Sequence, residues 1–504
     1  MNLSSRVFVA TLILAAMSVF SVGYSEDASL DGYVAPHPEL RGLGQRSTED
    51  IRAGFARYQT MADRSLALDP DRSLFVRKDA RLVGLTFKRI MSKLADDTGT
   101  DAVGFFRQFW ANLGYGESDQ DTGSKECPGA GPAKSVFNDF PVTCSSYLYR
   151  LASLEDPFGE DLAPHFRVIA AVNRNDLQLD GDCGEYRLIA AADPGWLEAA
   201  NFEYARELYI IFEWSLSDGG EPERCVAIQR YWARLSQMSA DADIARALDR
   251  FYFEGGTLSA AGEMTEATDC SGVCFAVGPV VAAGNMTFSK THKSRPGQIR
   301  VNANTIGPLW TLREYRFLQG APSGLLRLVT VPVANSPDFS TFDDSSVYVT
   351  AIAKALLGQS GTLSGRRFAE LAFVAPPQTY ANQQSTTKVY FDPYFRDPKT
   401  TTVGRVMQLL EAAKHVSVRH LVNRVTLLSC MGCHRFSNVD DVNVLGFDDL
   451  PTWPGSLKFT HISVEGVVDG QYVISDALIN AFLPRRKAVM EAVIGVELTT
   501  LPVK

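Results

Sequence analysis

Between Thr48 and Leu113 apolar residues recur every three or four positions, first as Ile51, Phe55, Tyr58 and Met61, then as Val83, Phe87, Ile90 and Leu94, then as Val103, Phe106, Phe109 and Leu113. That period places them on one side of a helix and predicts a small helical region over 48–113. A stretch containing Gly, Ser and Pro follows from Gly114 to Lys134, and beyond it the pattern turns to short β-rich segments: Phe166 to Val172, Tyr186 to Ala191 and Leu208 to Trp214. Helical spacing returns from Val226 to Phe253. Strand-like runs resume at Gln298 to Ala303, Trp310 to Phe317 and Leu325 to Val333. Helical periodicity over Ser345 to Leu357 and Gly365 to Phe373, then a polar loop from Pro376 to Lys399, lead into a last region over 400–504. The expected class is α+β: an N-terminal helical region, a central β-rich domain over 134–375 and a small helical C-terminal module.

The ends of the chain read differently. Met1 to Arg6 carry positive charge, Val7 to Phe20 are dominated by apolar residues, and small residues stand at Ser21, Gly23 and Ser25. This is the pattern of a signal peptide over 1–25, with cleavage after Gly23 or Ser25, and it predicts export to the periplasm or the medium. An N-terminal membrane anchor is the competing reading, but the apolar stretch is short for a span, and no later stretch approaches the roughly 18 apolar residues that one needs. Residues 26–47, with Pro36 and Pro38, read as an irregular linker. With 504 residues, 45% of them hydrophobic, the chain is too long for one ordinary core. A net charge of -9 without a Lys/Arg block offers phosphate backbones nothing to bind, so nucleic acid is not an expected partner.

Eight cysteines stand at 127, 144, 183, 225, 270, 274, 430 and 433. In an oxidising compartment the first six are disulfide candidates, and proximity favours Cys127 with Cys144, Cys183 with Cys225, and Cys270 with Cys274. The last pair carries the chemistry. At the end of a helical pattern (Leu421, Val425, Leu428) the chain reads Cys430-Met431-Gly432-Cys433-His434, the arrangement that attaches a c-type haem. On a helical turn, residues three apart share a face, so two thiols can reach the two vinyl groups on one side of a porphyrin while the next imidazole ligates iron. With 8 Cys and 7 His among 504 residues, such a pentad arises by chance roughly 0.002 times, so the motif is specific. Two other readings stay open, a short-loop disulfide and half of a zinc site using His434.

His434 is then the proximal ligand, and His461, 27 residues further on in the alternating segment Leu457 to Ile462, is the first candidate for the distal one. Met490 is the second, on the helical run Arg485 to Ile494, where it could equally be core filling. His415 and His420 precede the motif on its own helix and read as surface or capping residues. Ser475 is placed to cap a helix over Asp476 to Leu483, which Pro484 would end. Leu445, Phe447, Trp453, Phe459, Phe482 and Leu483 could keep water from a haem or simply form core. Arg485 and Arg486 could meet haem propionates, although paired basic residues are more often a solvated helix start. The oxygen-rich run Asn173 to Asp182 does not have EF-hand spacing and reads as a polar turn.

Several stretches together resemble a group of exported, largely uncharacterised bacterial proteins that end in a single C-x-x-C-H module. They are Cys183 to Leu188, Ile210 to Glu213, Gly297 to Asn302, Leu312 to Tyr315, Ser429 to His434, and Phe482 to Arg486. The resemblance implies a cytochrome-c-like end on a larger body and brings no substrate with it. The expected function is an exported protein with one covalent haem c, active in electron transfer with a redox partner protein or a small-molecule electron donor or acceptor. One haem motif argues against a di-haem peroxidase and leaves a single-haem oxidase open. The contrasting reading is a disulfide-stapled secreted binding or envelope protein without haem.

Overall fold

The structure is a computed structural model that describes residues 68–111, 134–137, 140–143, 154–160, 163–178, 181–199, 205–266, 272–287, 297–305, 310–319, 325–331, 333, 385–386, 416–427, 433–434, 436, 444–448, 450, 452–457 and 461–495. Its largest element is an eight-stranded sheet of β1 (Phe75–Val76), β2 (Phe166–Arg174), β3 (Asp182–Ala192), β4 (Ala205–Ser217), β5 (Gln298–Thr305), β6 (Trp310–Gln319), β7 (Leu326–Val331) and β8 (Ser385–Thr386). Strands β1 to β7 lie side by side in chain order, β8 adds to β6, and every pairing is antiparallel. Antiparallel neighbours need no crossover, so the pleat sets the register: a one-residue slip would turn each inward side chain outward.

One face of the sheet is apolar. Leu188 lies opposite Phe212, Phe212 opposite Ile299, and Ile299 opposite Tyr315. Helices α1 (Phe87–Asp96) and α2 (Ala102–Ala111) cover this row. Thr86 accepts from the Arg89 N–H at 3.2 Å and caps α1. Phe87 stacks on Phe166 with ring centroids 4.6 Å apart, Phe105 on Phe317 at 5.9 Å, and Phe109 meets Tyr315 edge-on at 5.5 Å. Helix α3 (Pro222–Leu235) extends the cover by setting Trp232 against Tyr186, and α4 (Asp241–Asp249) follows it. The Cys183–Cys225 disulfide ties β3 to α3, both cysteines being buried. Cys274 is also disulfide-bonded, while Cys127, Cys144 and Cys270 lie outside the described residues.

The other face carries a row of charges. Arg187 pairs with Glu185 at 2.5 Å and with Glu213 at 3.2 Å, Arg300 with Glu213 and Glu314, and Arg316 with Glu314 at 2.8 Å. Glu213 and Glu314 are fully buried. Buried carboxylates persist only when opposite charge offsets their desolvation, and each of these meets two arginines.

The C-terminal region of the chain joins the same structure. Helix α5 (Val418–Leu427) precedes the cysteine motif, and a hairpin of β9 (Ile462–Val468) and β10 (Gln471–Ile474) follows it. The hairpin is stitched to the chain beside β1: the Tyr472 N–H donates to the Arg77 carbonyl at 3.1 Å, and the Asp79 N–H to the Gly470 carbonyl at 3.1 Å. Helix α6 (Leu483–Ile494) is capped at its C-terminal end by Arg230 of α3, which donates to the Ile494 carbonyl. One hydrophobic cluster runs from Leu68 through the sheet to Met490 and Ile494.

Most of the expected elements are present with ends shifted by a few residues. The helical region over 48–113 is not wholly helical, because Phe75 and Val76 form the sheet's first strand, and Val83, expected on a buried face, is 68% exposed. Residues 48–67 and the helices expected at 345–357 and 365–373 lie outside the described residues. Among the described residues no helix is long and apolar enough to cross a membrane.

Candidate functional site

Helix α5 brings the chain to the motif. Its Asn423 and Arg424 side chains hold the returning loop: Asn423 donates to the Val444 carbonyl at 2.6 Å, and Arg424 to the Leu445 and Gly446 carbonyls at 2.7 Å each. The Arg424 guanidinium also lies 4.1 Å over the Phe447 ring. Cys430 is outside the described residues; Cys433 and His434 are in helical conformation. Cys433 is half-buried and outside any disulfide, and His434 is buried.

The His434 ring faces that of His461, with centroids 5.0 Å apart and planes at 37°. Two serines fix this pair. The Ser456 hydroxyl stands 3.4 Å from His434 Nδ1, and the Ser456 carbonyl accepts from the His461 N–H at 3.0 Å. The Ser475 hydroxyl lies 2.8 Å from His461 Nδ1 while accepting from the Leu478 N–H at 3.2 Å, and the Ser475 N–H donates to the His461 carbonyl at 2.9 Å. His461 is held at φ 61°, in the left-handed region that a non-glycine residue occupies only at a cost of about 1–3 kcal/mol. A backbone conformation held at both ends by the serines aims the ring at His434.

The surroundings keep both rings neutral. Burial pulls His434 well below the usual histidine value, and the neighbouring His461 adds to the effect. Burial likewise lowers His461, to about 4, with the positive charge of Arg486 second. Neutral imidazole is the form that ligates metal, and with Nδ1 of each ring engaged by serine, Nε2 is the nitrogen a metal would use. Phe482 meets His461 edge-on at 6.0 Å and Trp453 at 5.9 Å, so apolar rings wall one side of the pair.

The sequence therefore pointed to two histidines that the fold brings together, but by another route. The Leu457 to Ile462 segment is not an alternating strand: Leu457 and His461 both have positive φ, and β9 starts only at Ile462. Met490 is fully buried within the main core, the packing role open to it from the start. His420 sits half-buried on α5, and His415 and Phe459 lie outside the described residues. Ser475 does cap the following helix, but Pro484 does not end it. A π-helical turn over Leu478–Phe482 passes directly into α6, whose first turn can lack the proline N–H. Arg486 is no solvated helix start, being 5% exposed. Asp176, in the polar turn, pairs with Arg174 at 2.8 Å.

Ser456 and the pairing of Asp176 with Arg486 left no periodic trace in the sequence, since both depend on contacts between distant segments. Among the described residues no group of three or more His, Cys, Asp or Glu is placed to hold a metal ion through protein ligands alone. No protein-family model matches the chain, and no curated protein or solved structure matches it.

Proposed function

We propose that this chain is an exported, single-haem c-type cytochrome that passes one electron to or from a partner outside the cytoplasm. Cys430 and Cys433 would form the thioethers, His434 would be the proximal ligand and His461 the distal one. The observation that carries the reading is the pairing of the motif histidine with a second buried, neutral imidazole 5.0 Å away. Two neutral imidazoles and an apolar wall of Phe482 and Trp453 support the reading, and the rings, with centroids 5.0 Å apart, would have to separate to take an iron between their Nε2 atoms.

The haem, when bound, supplies the one-electron couple. The protein's part is binding and electrostatics. The Ser456 hydroxyl at Nδ1 would hold the His434 ring and its tautomer. Ser475 does the same for His461, and the buried setting limits water at the site. The competing reading is a role without haem, with Cys430 and Cys433 joined to each other.

The test is production in a host with intact haem-attachment machinery, followed by a haem stain on a denaturing gel and intact-mass measurement. Colour that survives denaturation, with a mass increase of one haem lost in a Cys430→Ala, Cys433→Ala variant, is the expected result. A colourless chain with a Cys430–Cys433 disulfide overturns the proposal.

A further inference from the structure

An open groove of about 920 Å³ lies along α4, lined there by Ala242 and Ala245 and from the neighbouring segments by Ala80, Val83 and Met238. Ala242 and Ala245 are three apart and so share a face of the helix. Val83 is 68% exposed, and Ala80 and Ala242 are exposed as well. The charged residues around this apolar floor are matched to one another, Arg234 with Glu263 and Arg250 with Glu266, each at 2.8 Å. An ion would have to compete with those pairs, whereas an apolar side chain gains by covering the floor.

The described chain begins at this groove. Leu68 is buried, the Asp69 N–H donates to the Ser236 hydroxyl at 3.0 Å, and the Arg72 guanidinium donates to the carbonyl of Met238, a groove residue. The residues just before Leu68 therefore start beside the groove, and their sequence suits it. Ile51, Phe55, Tyr58 and Met61 recur at three- and four-residue spacing, with Asp50, Arg52 and Arg57 between them. A helix over 48–62 would be about 22 Å long, and residues 63–67 can span up to about 17 Å, so the reach is ample. A helix this short is marginal alone in water and takes its stability from an apolar surface to lie on. The groove is that surface a few residues away, and a tethered segment meets it at a far higher effective concentration than a second molecule does.

We propose that residues 48–62 form an amphipathic helix docked in this groove, with the Ile51, Phe55, Tyr58 and Met61 side chains against Val83, Ala242 and Ala245. The occupant is the chain's own N-terminal segment. Docked there, it fixes the end of the 26–47 stretch on the α3–α4 side of the body.

Hydrogen exchange read by mass spectrometry on the full-length chain tests this at the amides of residues 51–61. In the parent they should exchange about a hundredfold more slowly than in a free peptide of the same sequence. The double substitution Val83→Asp, Ala242→Asp should abolish that slowing and leave β3 and β4 as they are in the parent, because both positions are exposed and tolerate a charge. Phe55→Asp should do the same from the other partner. Free-peptide exchange of 51–61 in the parent overturns the proposal. Protection that survives the double substitution overturns it too, since the segment then lies elsewhere. Protection that fades on dilution along with a dimer in sedimentation gives the groove to a second copy and overturns it equally.

Discussion

At the scale of single residues, the site depends on groups whose charge state is set by burial. His461 is the sharpest case, because its backbone is held in the left-handed region by bonds from Ser456 and Ser475. Under the proposed haem ligation, we expect His461→Ala to leave attachment through Cys430 and Cys433 intact and to convert the reduced spectrum from a six-coordinate to a five-coordinate form. An unchanged spectrum would assign the distal position to another residue. Asp176 gives a pH prediction. Burial alone would raise its carboxyl, but Arg174 and then Arg486 outweigh burial and hold it far below the usual carboxylate range. The folded value lies below the unfolded value of about 3.9, so the unfolded chain binds the extra proton. The resulting stability is complete above about pH 4 and is lost as pH falls through the lower folded value. Asp176→Asn should therefore cost about 3 kcal/mol at neutral pH, in keeping with removal of one partner from a buried pair. Urea midpoints should show this gap closing as the solution is acidified, and a gap independent of pH would remove the electrostatic explanation.

At the scale of elements, alternation predicted β2 to β7 with ends within about four residues of those observed, and helical spacing marked two helical stretches that the structure divides into α1 and α2, and into α3 and α4, because each element has one buried face and repeats it several times. Where an element is too short to repeat, the pattern fails: the two residues of β1 were absorbed into a helical region, and a π-helical turn hid behind Pro484. The motif at Cys430 to His434 was legible because its chemistry is local. The serines that orient the two imidazoles were not, since they arrive from separate turns. The disulfide between β3 and α3 belongs to this scale too. It closes a separation of 42 residues, for which the chain-entropy relation gives about 4 kcal/mol. The double substitution Cys183→Ala, Cys225→Ala should lower stability by that order in chemical denaturation, and reducing agent should destabilise the parent by more than the variant, which keeps the disulfide of Cys274. Beside this bond, Gly184 has φ 95°, and a Cβ there would sit 2.8 Å from the Arg174 carbonyl oxygen. Gly184→Ala should accordingly destabilise by about 2 kcal/mol or more, from strain and a contact with backbone that cannot yield.

At the scale of the whole molecule, the question is whether the haem-motif region is an appendage or part of the body. Its hairpin is bonded to the backbone at Arg77 and Asp79, its last helix is capped by Arg230, and Ile462, Tyr472, Ile474, Met490 and Ile494 belong to the same apolar cluster as the sheet. Its buried Arg486 is matched to Asp176 at the end of β2, so a fragment of residues 400–504 would expose that charge and those side chains together. Cooperativity follows from shared burial: surfaces that are buried only against each other are lost together. We therefore expect the 400–504 fragment to show no protected amides by hydrogen exchange, whereas the full chain protects α6 and β9–β10 to nearly the same free energy as β3 and β4. A fragment that folds and exchanges as slowly as it does in the full chain would mean that the contacts at Arg77, Asp176 and Arg230 carry little energy. If the two unfold as one, a substitution on the charged face of the sheet, such as Asp176→Asn, will lower the protection of α6 as well as that of β3 and β4.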